Sequence, residues 1–224
     1  MKTLVLTGLF VALAAGTASA DMLYSQSFEN TDWLGGKYYD TGDAAVDHWL
    51  TNNAGEAAVN GDGFNAWYGN TRDGLGLVDG DYVGVTTYTG GGVGAYYDGV
   101  QGYQMSDTDG MMSLFFDDYG SDVNFSVAIF IASTGYESDD SLSIMYGDTT
   151  IAAFGELELE GSAGTWMLIE GSGVSGQLSV NFDSNSGTEA VFIDAVNIWT
   201  GDVPAPGALA LLGLAGLASR RRRK

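Results

Sequence analysis

The sequence predicts an all-β fold, a jelly-roll β-sandwich of two antiparallel sheets, with an N-terminal signal helix and a short C-terminal transmembrane helix at its ends. Three observations carry this expectation. Between residues 21 and 202 apolar residues recur with a period of two, and no helical periodicity lasts longer than a turn or two. Thirty-four glycines punctuate these stretches and supply turns. The only two prolines stand at 204 and 206, so no ladder in the body is interrupted.

The chain begins MKTLVLTGLFVALAAGTASA. Lys2 gives a positive start, Leu4 to Ala15 an apolar stretch, and Ala18-Ser19-Ala20 a small-residue cleavage site. These are the parts of a signal peptide handled by the Sec export machinery, with cleavage expected between Ala20 and Asp21. Residues 21–202 then form one domain, long enough to bury a core unaided. Cysteine is absent, which excludes disulfides, a thiol nucleophile and a zinc–thiolate site. All 29 acids lie in this body beside only two bases, Lys37 and Arg72, for a net charge of −27. Such a surface repels nucleic acid and attracts divalent cations.

Strands are expected at Leu23 to Glu29, Tyr82 to Thr89, Met111 to Phe116, Leu142 to Tyr146, Thr165 to Glu170 and Glu189 to Trp199. Two more alternate clearly: Val123 to Ile131, with Val123, Phe125, Val127, Ile129 and Ile131 on one face, and Gln177 to Asp183, with Leu178, Val180 and Phe182 inward. From Tyr38 to Tyr103 the pattern is less regular, and YYDTGDAAVDHWLTNNAGEAAV and TYTGGGVGAYYDGV read as a long loop and a glycine-rich connection. Glu156, Glu158 and Glu160 alternate with Leu157 and Leu159, as on the wet face of an edge strand. Gly171 to Gly176 matches G-x-G-x-x-G, but a strand follows rather than a helix, so it reads as a hairpin connection.

After the body comes VPAPGALALLGLAGLASRRRRK. Val203 to Ser219 as a helix would span about 25 Å, slightly under the roughly 30 Å hydrocarbon core. The basic residues after it act as a stop-transfer signal on the cytoplasmic side of the inner membrane. Val203, Pro204, Ala205, Pro206 and then Arg220, Arg221, Arg222 and Arg223 resemble the tripartite PEP-CTERM sorting signal of exported bacterial proteins, with Ala205 in place of the usual glutamate. That resemblance implies an exosortase-like membrane protease as partner, and an address in the cell envelope, at the cell surface or in the extracellular matrix.

Catalytic signals are sparse. His48 is the only histidine and no G-x-S-x-G elbow is present. A pair of carboxylates for glycoside hydrolysis is available in any chain this acidic, and a hydrolase stands as the alternative function. Calcium is the better chemical expectation, because hard cations take carboxylate and carbonyl oxygens, and Asp79-Gly80-Asp81, Asp107-Thr108-Asp109-Gly110 and Asp139-Asp140 supply them, although none completes an EF-hand. By strict alternation Asp194 shares an apolar face with Phe192, Val196 and Ile198, so it needs a metal or hydrogen-bond donors. Loop aromatics, Trp49, Trp67 and Tyr68 among them, suit sugar stacking and equally suit covering the end of a core.

FENTDW, TGDAAVDHWLTNNAG, GYQMSDTDG, GYESDDSLSIMYG and FIDAVNIW are similar to a jelly-roll module of secreted bacterial proteins related to carbohydrate-binding modules. The resemblance implies one structural calcium held by Glu29 and Asp194. The expected function is that of an exported, non-enzymatic structural or adhesive module binding polysaccharide.

Overall fold

A computed structural model describes residues 20–42, 46–72, 75–132 and 135–201. The expected signal helix before residue 20 and the sorting segment, with Val203 to Pro206 and Arg220 to Arg223, lie outside the described residues. Among the described residues no helix is long and apolar enough to cross a membrane.

The strands in chain order are β1 (Asp21–Gln26), β2 (His48–Trp49), β3 (Phe64–Gly69), β4 (Gly84–Thr86), β5 (Gly102–Ser106), β6 (Met111–Phe116), β7 (Val123–Ala132), β8 (Ser141–Tyr146) and β9 (Thr149–Phe154). A helix α1 (Glu156–Ser162) precedes β10 (Trp166–Val174), β11 (Leu178–Asp183) and β12 (Ala190–Thr200). One sheet runs β10-β7-β12-β5-β4 with β1 also on β12, and the other runs β2-β3-β6-β11-β8-β9. Every pairing between these strands is antiparallel. Successive strands from β5 onward switch sheets except at the β8–β9 hairpin, which yields the orders 5-12-7-10 and 6-11-8-9. That is the double Greek key of a jelly roll, as the alternating stretches predict.

The two inner faces meet in one apolar core. Tyr103, Met105, Val127, Ile129, Val191 and Ile193 come from the first sheet, and Phe64, Leu114, Phe116, Ile144, Val180 and Phe182 from the second, all fully buried. Full burial of each large apolar side chain contributes about 1.5–3 kcal/mol, which is how the domain stands without disulfides.

Four expectations need correction. ELELEGS is the helix α1, because Glu158 accepts the Gly155 N–H at 3.2 Å and acids in the first turn oppose the positive helix end. The glycine stretch 171–176 carries the chain from β10 in one sheet to β11 in the other, so it is a crossover rather than a hairpin. The region from Tyr38 to Tyr103, besides β4 within the expected strand Tyr82 to Thr89, also contains β2 and β3 and reaches into β5. Finally, β12 carries a bulge after Asp194, where Ala195 takes φ 47°. The extra residue reverses the alternation, so Val196 and Ile198 enter the main core while Asp194 shares the opposite face with Phe192.

Candidate functional site

The outer face of the first sheet is built from one cross-strand row. Gly84 lies opposite Gln104, Gln104 opposite Phe192, Phe192 opposite Phe130, and Phe130 opposite Trp166. A row this aromatic cannot face water without cost, and residues 87–101 fold over part of it. Val93 and Tyr96 join Phe130, Ala132, Ala190 and Phe192 in a second, smaller apolar cluster. The Tyr96 hydroxyl donates to the Tyr88 carbonyl at 2.8 Å, and Trp166 Nε1 donates to the Ala95 carbonyl at 3.0 Å.

Where this segment stops, a groove opens. Its larger part, about 420 Å³, is lined by Tyr82, Tyr88, Gln104, Thr188 and Phe192 among others. The adjoining part, about 280 Å³, shares Tyr82, Tyr88 and Gln104 and adds Lys37 and Thr86. Tyr82 and Tyr88 are about half exposed at 51% and 50%, so their rings present faces to a ligand. Tyr88 stacks on Phe192 with centroids 6.1 Å apart and planes at 10°, and Lys37 Nζ sits 4.5 Å over the Tyr82 ring. Aromatic faces above an amide and hydroxyls suit a neutral polyhydroxylated ligand with apolar ring faces. Among the described residues no carboxylate lines either part.

Glu29 and Asp194, expected as cation ligands, come together at the end of the covering segment. Asp194 is fully buried and accepts the Asp98 N–H at Oδ2 (2.7 Å) and the Ala195 N–H at Oδ1 (2.6 Å). Glu29 Oε1 accepts the N–H groups of Val100 and Gln101 at 2.7 and 2.8 Å. Burial pushes the Asp194 carboxyl up to about 7; its two N–H donors work against this, while Asp98 and Glu29 add to it. The Gln101 amide is buried with both polar atoms lacking a hydrogen-bond partner. Asp194 and Glu29 thus each accept two backbone N–H groups, which meets the need of a carboxylate on an apolar face for donors.

The other expected ligand residues divide. Trp49 and Trp67 are cross-strand partners on the outer face of the second sheet, and Phe115 packs on Trp49 at 5.5 Å. The row continues from Trp67 through Ser113 and Asn181 to Ser143. Trp49 is 57% exposed. Tyr68 points the other way, fully buried, with its hydroxyl donating to the Asp109 carbonyl at 3.0 Å. It is a core ring and cannot stack on a ligand. His48 places Nε2 2.9 Å from Asp40 Oδ2 and Nδ1 2.6 Å from the Val46 carbonyl.

One constellation escaped the sequence. Glu137 and Asp140 in the β7–β8 connection meet Glu189, just before β12, with one carboxylate oxygen from each mutually within 4.8 Å. Burial pushes Glu189 up to about 7, with Asp140 and Glu137 adding to it. Nothing in local sequence joins these loops. The groove tyrosines were half legible, because 82, 84, 86 and 88 share a face in extended backbone.

No protein-family model and no curated protein matches this sequence. Solved structures with some likeness include the carbohydrate-binding module TmCBM61 in complex with β-1,4-galactotriose, with 13% identity, a TM-score of 0.36, and coverage of 52% of this chain and 81% of that one. A family 36 carbohydrate-binding module in complex with calcium and xylotriose shows 16% identity and a TM-score of 0.28 over 49% and 87% of the two chains. The family 11 carbohydrate-binding module from Clostridium thermocellum, in complex with a mixed-linked β-1,3-1,4 tetrasaccharide, shows 10% identity and a TM-score of 0.34 over 71% and 98%.

Proposed function

We propose that this chain is a non-catalytic polysaccharide-binding module, exported through its first 20 residues and sorted to the cell envelope or extracellular matrix through residues 203–224. The observation that carries the binding reading is the groove between Tyr82 and Tyr88, whose half-exposed rings suit sugar stacking. Calcium at Glu29 and Asp194 would hold the end of the covering segment, whose residues 98, 100 and 101 already donate to these carboxylates. The alternative location for the site is the open Trp49–Trp67 face, where Trp49 is 57% exposed beside a row of Ser and Asn side chains.

Affinity electrophoresis against soluble plant and microbial polysaccharides tests the reading. Tyr88→Ala is expected to weaken retention by about tenfold, since a stacked ring contributes roughly 1 kcal/mol beyond its area. Trp67→Ala is expected to leave it unchanged. The reverse result moves the site to the open sheet face, and retention unaffected by either substitution refutes sugar recognition by exposed rings.

A further inference from the structure

We infer that Glu137, Asp140 and Glu189 form a calcium site that ties the β7–β8 connection to the start of β12. This site is separate from Glu29 and Asp194 and does not depend on sugar binding. Asp140 and Glu189 are 2% and 3% exposed, whereas Glu137 faces solvent. The Glu137 N–H donates to Asp140 Oδ2 at 2.6 Å, which folds the connection so that its two carboxylates stand together. The decisive observation is Glu189 Oε2, a buried carboxylate oxygen with no hydrogen-bond partner. It belongs to one of the three carboxylates drawn together there. The Asn185 backbone acts as a donor to the Glu189 carboxylate, but Oε2 itself has no partner, and a buried carboxylate oxygen needs a donor or a cation.

Arg72 does not meet that need. Its guanidinium pairs with Asp139, with Asp140 Oδ1 at 3.2 Å and with Asp183 Oδ1 at 2.8 Å, and among the described residues it forms no ion pair with Glu137 or Glu189. Each of the three carboxylates brings one oxygen to the cluster, and the exposed side at Glu137 admits water to complete the shell. Calcium accepts six to eight oxygens in irregular geometry, whereas magnesium demands a near-ideal octahedron and keeps its water, so calcium is the better occupant. With no nitrogen or sulfur ligand in the set, softer metals have no advantage. The site would fasten one end of a cysteine-free sandwich, because β12 lies in the first sheet and the β7–β8 connection crosses to the second. It would also fix one rim of the groove, since Thr188 and Ala190 flank Glu189 and line it.

The test is calcium titration of the full chain by calorimetry, together with thermal unfolding in EDTA and in calcium. The wild type is expected to gain about 5–10 °C at calcium a hundredfold above Kd. Glu189→Gln keeps the shape and removes the uncompensated charge. It is expected to melt no lower than wild type in EDTA and to bind one calcium fewer, with a reduced thermal gain. Glu29→Gln is the control and keeps this site's share of the response. Should Glu189→Gln fail to fold, Glu137→Gln, at an exposed position, is expected to weaken calcium at this site about tenfold. Terbium luminescence excited through tyrosine gives a second readout, since Tyr136 adjoins Glu137, and it should fall in both variants. Absence of calcium binding by the wild type, or an unchanged stoichiometry and thermal gain in the variants, overturns the proposal.

Discussion

Asp81 tests most directly how burial governs so acidic a chain. Its residue is 3% exposed, Oδ2 has no hydrogen-bond partner, and its backbone exchanges two hydrogen bonds with Tyr38 at 2.9 and 3.0 Å. Burial pushes the carboxyl up to about 8, with Asp79, Asp107 and Asp109 adding to the effect and Lys37 opposing it. Below about pH 4 the group is protonated in both folded and unfolded chains and stability does not depend on it. Between about pH 4 and 8 the unfolded chain releases a proton that the folded chain keeps. Stability therefore falls as pH rises, by about 1.4 kcal/mol per pH unit, and the loss is complete above 8.

Across that window the loss is on the order of 5 kcal/mol, which relaxation and water penetration reduce to about 2–3 kcal/mol. Asp81→Asn keeps the volume, abolishes the titration, and places an NH₂ where it can donate to the neighbouring carboxylates. Its advantage over wild type should grow from near zero at pH 4.5 to about 2–3 kcal/mol at pH 8.5, or about 5–10 °C in Tm. Urea and thermal unfolding in EDTA at both pH values measure it. An advantage that is equal at the two pH values, or a variant less stable than wild type at pH 8.5, would refute the reasoning.

Two further outcomes follow from the charge distribution. Arg72→Gln removes the cation from Asp139, Asp140 and Asp183 and is expected to cost about 3–5 kcal/mol at pH 7, since a buried partner is left uncompensated. Urea unfolding at pH 7 and pH 3 checks it, because the loss should shrink as acid protonates the carboxylates; an equal loss would assign the effect to packing of the arginine stem. Replacing Arg220 to Arg223 with Ser is expected to abolish retention at the membrane and processing at the C-terminus, read by fractionation and intact mass, and unchanged processing would refute the sorting role.

How much of this was legible depends on which side of a strand is buried. β7 and β11 alternate cleanly through Val123–Ile131 and Leu178–Phe182, and their periodicity marks them as strands. FNAWYG hides β3 because Trp67 faces outward while Tyr68 faces inward, so both sides carry aromatics. GYQMS hides β5 because the covered outer face leaves all five residues buried, erasing the contrast. In α1 the alternation of Glu and Leu imitates a strand, yet Leu157 is 75% exposed and Leu159 fully buried, which a two-residue period would forbid. The groove and the three-carboxylate cluster depend on pairings between distant strands and loops, which local pattern cannot express. Asp194 was found by its chemistry, an acid in an apolar run, although the bulge placed it on a different face.

The same bulge explains why the groove and the carboxylate clamp belong together. Before Asp194, β12 buries Val191 and Ile193 on the inner face and Ala190 and Phe192 on the outer one, so it needs cover on both sides. The inner cover is the second sheet. The outer cover is residues 87–101, a glycine-rich segment whose apolar contribution to that cluster is Val93 and Tyr96. So small an apolar contact cannot by itself offset the entropy of ordering such a segment. Its end is instead held by three backbone N–H groups, that of Asp98 on Asp194 and those of Val100 and Gln101 on Glu29. At the other end of the segment Tyr88 stands half exposed over Phe192. Loosening the clamp is therefore expected to cost stability by freeing the cover of the outer face, whereas removing the Tyr88 ring costs its stacking on Phe192 and leaves the clamp intact.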